Sequence, residues 1–181
     1  GGRKLWRQPT SDPAVLLDIA AADVDGDGND DVVTASGNGS VACWDSGGTL
    51  RWRFRPAEKV RFNELAVLKL GDEVTILAGG NDRALYKLDR NGTLLLKQEV
   101  PGVVRKIETG DFLADGSPAV FLMTLAHDKT GWKFLGVLDP RTLKPLTTLE
   151  RSLPELKAGI LTDVDVADLD RDGRDDLLLF W

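Results

Sequence analysis

Apolar and polar residues alternate with period two along most of this 181-residue chain, and Gly, Asn, Asp or Pro punctuates the alternation every 8 to 12 residues. This pattern predicts short β-strands with one face buried, joined by tight turns; no segment carries a helical face. The strands recur in a fixed order. "GSVACWDSGGTLRWRF" from Gly39, "DRALYKLDRNGTLLLKQ" from Asp82 and "WKFLGVLDPRTLKPLTT" from Trp132 each run through an apolar strand into an aspartate, a turn and a second strand. Their aspartates Asp45, Asp89 and Asp139 stand 44 and 50 residues apart. The opening "GGRKLWRQP" answers "GGTLRWRFRP" from Gly47, with Trp6 falling 46 residues before Trp52.

The preceding half of each unit repeats as well, from Val15, Glu64, Val104 and Ile160: an alternating strand, an acidic or glycine turn, then a short apolar strand. Four strands in about 45 residues is the spacing of a β-propeller blade. The expected fold is therefore all-β, a β-propeller of four-stranded antiparallel blades. Three full blades fall at about 15–55, 61–100 and 103–149, and a partial blade combines 159–181 with 1–9. In the first blade strand A is Val15 to Ala22, strand B Asp31 to Ala35, strand C Ser40 to Asp45 and strand D Thr49 to Arg55. The partial blade lacks a strand C, which the remainder of a longer chain or a second copy in a homo-oligomer would supply.

Composition narrows the partners. The hydrophobic fraction of 42% is enough for a folded core, and the formal net charge of -6 with a pI near 4.8 disfavours nucleic acid and anionic membrane surfaces. No apolar run reaches the roughly 18 residues of a membrane span, and the first residues lack the apolar centre of a signal peptide. Cys43 is the single cysteine and His127 the single histidine. Cys43, inside strand C, reads as a buried inert thiol, and His127 as a loop residue without partners for a transition metal. Trp6, Trp44, Trp52, Trp132 and Trp181 read as packing residues between blades. Arg51, Arg53 and Arg55 alternate along strand D, so they share a face, read as a solvent-facing one with an anion site as the alternative.

Two loops concentrate carboxylates: "DVDGDGNDD" from Asp23 to Asp31 and "DLDRDGRDD" from Asp168 to Asp176. Such crowding is destabilising unless something positive sits among the acids. Asp23, Asp25, Asp27, the carbonyl of Asn29 and Asp31 occupy positions 1, 3, 5, 7 and 9; Asp168, Asp170, Asp172, the carbonyl of Arg174 and Asp176 match them. Hard oxygen donors at alternate positions, with Gly28 and Gly173 at position 6, are suited to Ca²⁺, and zinc, copper or magnesium fit less well. Two Ca²⁺ ions would bring the formal charge from -6 to about -2. An EF-hand is excluded by Thr34 and Leu179 at position 12, where a Glu is needed, and by strand-like flanks. In the third blade "DFLADGSPA" keeps Asp111, Asp115 and Gly116 but has Leu113 and Ala119 at positions 3 and 9, so it is expected to keep the turn without the ion. The second blade shortens the loop to "LGDEV".

The pattern D-x-D-x-D-G-x-x-D followed by an apolar strand resembles the calcium loops of FG-GAP repeats, known from integrin alpha-subunit propellers and from bacterial VCBS repeats. The Trp-bearing segments "KLWRQ" and "LRWRF" are also similar to blades of the quinoprotein (PQQ) dehydrogenase type. The resemblance implies a propeller with Ca²⁺ between strands A and B, an extracellular or periplasmic setting, and a role as a recognition platform. The expected function is a calcium-stabilised, non-catalytic module presenting a surface for protein or carbohydrate recognition. The alternative is the propeller domain of an extracytoplasmic enzyme such as a polysaccharide lyase or a quinone-dependent dehydrogenase. A calcium-driven shape switch is disfavoured, because the loops bridge strands of a rigid sheet.

Overall fold

The computed structural model describes residues 5–8, 15–113, 115, 117–126, 132–149 and 163–180. The elements bounded within those residues are all strands. Blade one is β1 (Leu16–Ala22), β2 (Asp31–Ser36), β3 (Val41–Trp44) and β4 (Leu50–Phe54). Blade two is β5 (Phe62–Leu70), β6 (Glu73–Gly80), β7 (Ala84–Asp89) and β8 (Leu94–Glu99). Blade three is β9 (Val103–Gly110), β10 (Ala119–Leu125), β11 (Trp132–Leu138) and β12 (Pro145–Thr148), and β13 (Asp163–Ala167) pairs with β14 (Asp176–Phe180). Each four-stranded sheet is an antiparallel meander in chain order. The chain is a β-propeller of the expected kind, with strand bounds within one residue of those read for blade one. Residues 5–8 form no strand, although Trp6 occupies the place that the repeat assigns to it.

The first strands of successive blades, β1, β5, β9 and β13, run beside one another. The middle strands are buried because both faces are covered by neighbouring blades: β6 reads Val74 to Gly80 without an exposed residue, and β10 is buried from Ala119 to Thr124. Such near-continuous apolar runs are what two-sided burial demands. One apolar cluster lies between blades one and two, centred on Phe62, Ile76 and Tyr86. Phe54, Phe62 and Tyr86 pack with ring centroids 5.3 to 6.4 Å apart. A second cluster, with Leu77, Ile107 and Leu122, joins blades two and three, and a third, with Phe121 and Val164, joins blade three to the β13–β14 pair.

The hairpin between the last two strands of each blade shows how the repeat locks its neighbours together. In blade one Gly48 N–H donates to Asp45 O at 2.8 Å and Asp45 N–H to Thr49 O at 2.9 Å; Asp89, Gly92 and Thr93 repeat this at 3.0 and 2.9 Å. Gly48 and Gly92 have φ of +85° and +79°, which an L side chain adopts only with strain. Their bare backbone is also where a tryptophan lies. A Cβ on Gly48 would meet Trp6 at 2.7 Å, and one on Gly92 would meet Trp52 at 2.6 Å. The indole N–H of Trp6 donates to Ser46 O at 3.0 Å and that of Trp52 to Arg90 O at 2.8 Å. One ring thus covers a glycine and satisfies a carbonyl of the next blade's turn.

At the third junction the tryptophan position is Leu96 and the glycine position is Leu143, which sits at φ +56°. Both belong to the same apolar cluster, and Leu143 is 1% exposed. The turn carbonyl equivalent to Ser46 O and Arg90 O is Pro140 O, and it accepts a hydrogen bond from the buried Lys87 ammonium at 3.1 Å. Two residues divide the work of one tryptophan: Leu96 packs, and Lys87, its cross-strand partner, donates.

Candidate metal centre

The two acidic loops fold alike because the same side chains tie the same backbone groups. Val24 N–H donates to Asp31 Oδ2 at 3.2 Å and Leu169 N–H to Asp176 Oδ2 at 3.0 Å. Gly28 N–H reaches Asp23 Oδ2 at 3.2 Å, and Gly173 N–H reaches Asp168 Oδ2 at 3.1 Å. Asp25 and Asp170 each accept from the N–H two residues on, as do Asp27 and Asp172, at 2.8 to 3.1 Å. Short aspartates that fold back on their own backbone are the reason this composition makes a compact loop. Gly28 and Gly173 share φ +86°, and at position 4 Gly26 (+86°) is matched by Arg171 (+65°).

Among the described residues, Asp23, Asp25 and Asp27 bring carboxylate oxygens within 4.8 Å of one another in the first loop, and Asp168, Asp170 and Asp176 do so in the second. The donor set is all oxygen, which fits a hard cation such as Ca²⁺. Of the other residues singled out in the sequence, Asp31 is 3% exposed and held by Val24, Asp172 turns to its local backbone, and Asn29 donates its amide to Asp27 at 3.2 Å. Arg174 donates its backbone N–H to Asp172 at 2.9 Å.

A first difference between the loops that the sequence did not show is a cation beside loop one. The Arg51 guanidinium reaches from β4 to hydrogen-bond Asp25, and it lies 3.8 Å from Asp31. Arg51 therefore belongs to the acidic loop and not simply to a solvent-facing strand. Its hydrogen bond, with that from Asp27 N–H, holds the Asp25 carboxyl below the usual carboxylate range. Burial pushes Asp31 up, against the opposing pull of Val24 N–H and Arg51. Loop one thus carries its own partial countercharge.

In the third blade, the loop that lost two carboxylates has another use for the first. Asp111 N–H donates to Asp175 Oδ2 at 3.1 Å, and Asp175 N–H donates back to Asp111 Oδ1 at 2.8 Å. Position 8 of loop two, outside the ligand pattern, is thereby a clasp between blade three and β13–β14. The equivalent residue of loop one, Asp30, is exposed. Gly116, His127 and Trp181, like the side chain of Trp132, lie outside the described residues. Cys43 is fully buried, and burial raises its thiol to about 12, as suits an inert core residue.

A second charged group, assembled from four blades, escaped sequence reasoning. Asp18 on β1 accepts from Leu65 N–H at 2.8 Å, Lys106 on β9 lies 2.9 Å from Glu108 and 3.5 Å from Asp163 on β13, and Glu64 stands on β5. Burial and the Asp18 charge raise Glu64 to about 7, against the pull of Lys106 and Arg105. Burial likewise raises Glu108, opposed by Lys106. The signal available in sequence was the polar content of every first strand, but only the side-by-side arrangement of β1, β5, β9 and β13 brings those residues together.

Comparison with known proteins adds the family context. The family model described as the lambda-carrageenase beta-propeller domain matches residues 1–108. The chain is similar over 98% of its length to two lambda-carrageenases, one from Pseudoalteromonas sp (31% identical over 192 residues) and one from Pseudoalteromonas carrageenovora (29% over 201). It spans about a fifth of their length, 20% in each case. Among solved structures, the Dos1 propeller superposes with a TM-score of 0.57 at 18% identity, covering 75% of this chain and 35% of that one. A chain from the structure of BBS1N in complex with ARL6DN gives 0.52 at 12% identity, covering 96% of this chain and 49% of that one. At these identities the structural likeness carries the fold alone.

Proposed function

Because the chain belongs to the lambda-carrageenase beta-propeller domain family, we propose that it is the carbohydrate-recognising propeller of a polysaccharide-degrading enzyme acting outside the cytoplasm. The observation that carries this reading is similarity to lambda-carrageenases over 98% of the chain, which takes in every blade. The module binds a carrageenan-type polysaccharide, and catalysis is assigned to the rest of the parent protein, since the chain corresponds to a fifth of those relatives. Affinity electrophoresis through lambda-carrageenan, with reducing ends assayed in parallel, tests it: retardation without new reducing ends is expected. Unretarded migration removes the recognition role, and release of reducing ends moves catalysis into this chain.

The second part of the proposal is that the two acidic loops hold Ca²⁺ as staples of individual blades, in the manner of FG-GAP repeats. Its support is the shared backbone-to-carboxylate bonding of the two loops and their all-oxygen donor sets. Asp23, Asp25 and Asp27, with Asp31 behind them, would hold one ion; Asp168, Asp170 and Asp176, with Asp172 beside them, the other. The Asn29 and Arg174 carbonyls would add one further oxygen donor to each loop. A bound ion would neutralise repulsion among the carboxylates and would take no part in bond breaking. Titration calorimetry with CaCl₂ over the micromolar to millimolar range is the test, and a flat trace with an unchanged melting temperature in EDTA would remove the staple.

A further inference from the structure

Seven residues, 55–61, join β4 to β5, whereas three, 100–102, suffice to join β8 to β9. The longer link is not required to pass from one blade to the next, and loops that exceed the needs of the scaffold are where binding residues concentrate. This one carries Arg55, Lys59 and Arg61, with Glu58 as its single acid, in a chain of formal net charge -6. Glu58 itself lines the space beside the link, and its carboxylate lies 3.8 Å from the Lys97 ammonium, which partly offsets its charge. The link borders a groove of about 470 Å³ whose opposite walls are the turns at Gly37–Gly39 and Asn81. That volume falls within the range of small-ligand sites, about 300–1,000 Å³.

The groove is held firmly. Arg61 N–H donates to Asn81 Oδ1 at 2.8 Å, and Asn81 N–H donates to Arg61 O at 3.1 Å. The backbone at Val60 and Arg61 lies so close to two glycines that a Cβ would sit 2.6 Å from Val60 O at Gly39 and 2.3 Å from Arg61 O at Gly80. The Asn38 side-chain oxygen Oδ1 accepts from the hydroxyls of Ser36 (2.9 Å) and Ser40 (2.8 Å), which fixes the turn facing the link. A backbone so constrained spares the cost of ordering the loop on binding, leaving only that of the two side chains. Pro56 and Ala57 add apolar surface, suited to the C–H face of a sugar ring, while Val60 is buried in the core beneath them.

We infer that the groove between the β4–β5 link and the turns at Gly37–Gly39 and Asn81 is a subsite for an acidic sugar unit, with Lys59 and Arg61 binding its sulfate or carboxylate group. Guanidinium and ammonium groups recognise both oxyanions through charge-assisted hydrogen bonds. The negative charge elsewhere on the chain disfavours a densely charged phosphodiester and suits a polymer whose anions are spaced by sugar rings. The inference rests on the proposed recognition role and adds the place and the chemistry of one contact.

Calorimetry with the 181-residue chain tests it, using a sulfated galactan oligosaccharide, its desulfated counterpart and an oligogalacturonate. The double variant Lys59→Gln, Arg61→Gln is expected to lose about tenfold or more in affinity for the acidic ligand, while Arg53→Gln, on the outer strand, stays within about twofold. Matched melting curves and circular dichroism separate this from misfolding, and if the double variant melts early, the single Lys59→Gln variant is expected to lose at least threefold. Preference between the sulfated and carboxylated probes identifies the acid group. Undiminished affinity in the folded variants, or equal binding of the desulfated probe, overturns the groove while leaving the recognition role intact. Absence of binding to every glycan overturns both.

Discussion

Replacing Gly92 by Ala is expected to destabilise the protein by an amount that depends on Trp52. The added Cβ would lie 2.6 Å from Trp52 Cε3 and 2.7 Å from Cδ2, well inside the 3.5–4.0 Å of a relaxed carbon contact. The indole cannot retreat without losing its 2.8 Å hydrogen bond to Arg90 O. Forced repacking of this kind costs about 1–3 kcal/mol, and placing an L residue at φ +79° adds about 1–2 kcal/mol, so the single variant should lose about 2–5 kcal/mol. In a Trp52→Leu background the steric part disappears and only the backbone part of about 1–2 kcal/mol remains. Blade three already has that arrangement, with Leu143 at φ +56° in the cluster against which Leu96 packs. Urea unfolding of the parent, both single variants and the double variant, followed by far-ultraviolet circular dichroism, gives the coupling energy directly, expected at about 1–3 kcal/mol. An equal cost of Gly92→Ala in both backgrounds would refute the idea that the ring and the bare glycine act as a unit.

Three further outcomes follow from the charged sites. Without metal, Arg51→Gln should lower the melting temperature because Asp25 and Asp31 lose their countercharge, and because Arg51 and an ion would compete for the same carboxylates, 10 mM CaCl₂ should recover more stability in this variant than in the parent; each site with a dissociation constant of about 10⁻⁴ to 10⁻³ M would contribute about 1.4–2.7 kcal/mol at that concentration, so an identical calcium response would contradict that competition. Glu64 is raised from 4.5 to about 7, so its ionisation works against the fold: its own contribution to stability is greatest below pH 4.5 and is lost as pH rises through 7. Glu64→Gln should therefore stabilise at pH 8 by about 1–2 kcal/mol, after allowance for partial exposure, and have little effect at pH 4.5, as checked by thermal melts at both values. Asp175→Ala, which removes one arm of the clasp to Asp111, should cost about 1–2 kcal/mol in urea unfolding, against less than about 0.5 kcal/mol for Asp30→Ala at the equivalent exposed position; equal costs would deny the clasp its role.

The chain's local periodicities determined its elements. Period-two alternation and the turn aspartates at 45, 89 and 139 were enough to place blades and most strand ends, because a strand's burial pattern and a hairpin's turn chemistry are written within a few residues. The two acidic loops were legible for the same reason: Asp23 to Asp31 and Asp168 to Asp176 bond chiefly to their own backbone, over separations of two to seven residues.

What the tertiary structure alone decided are the contacts between residues far apart in the chain. Arg51 meets Asp25 across 26 residues, Lys87 meets Pro140 across 53, and Asp111 meets Asp175 across 64. Asp30 and Asp175 hold the same position in near-identical loops, yet only Asp175 faces a blade edge with a carboxylate waiting for it. The inner-strand charges around Glu64 and the cations around the 55–61 link likewise acquire meaning only from which neighbours the blades bring alongside. A strand specifies its own faces through the spacing of its side chains, but the field and the contacts that each face meets belong to the assembled blades.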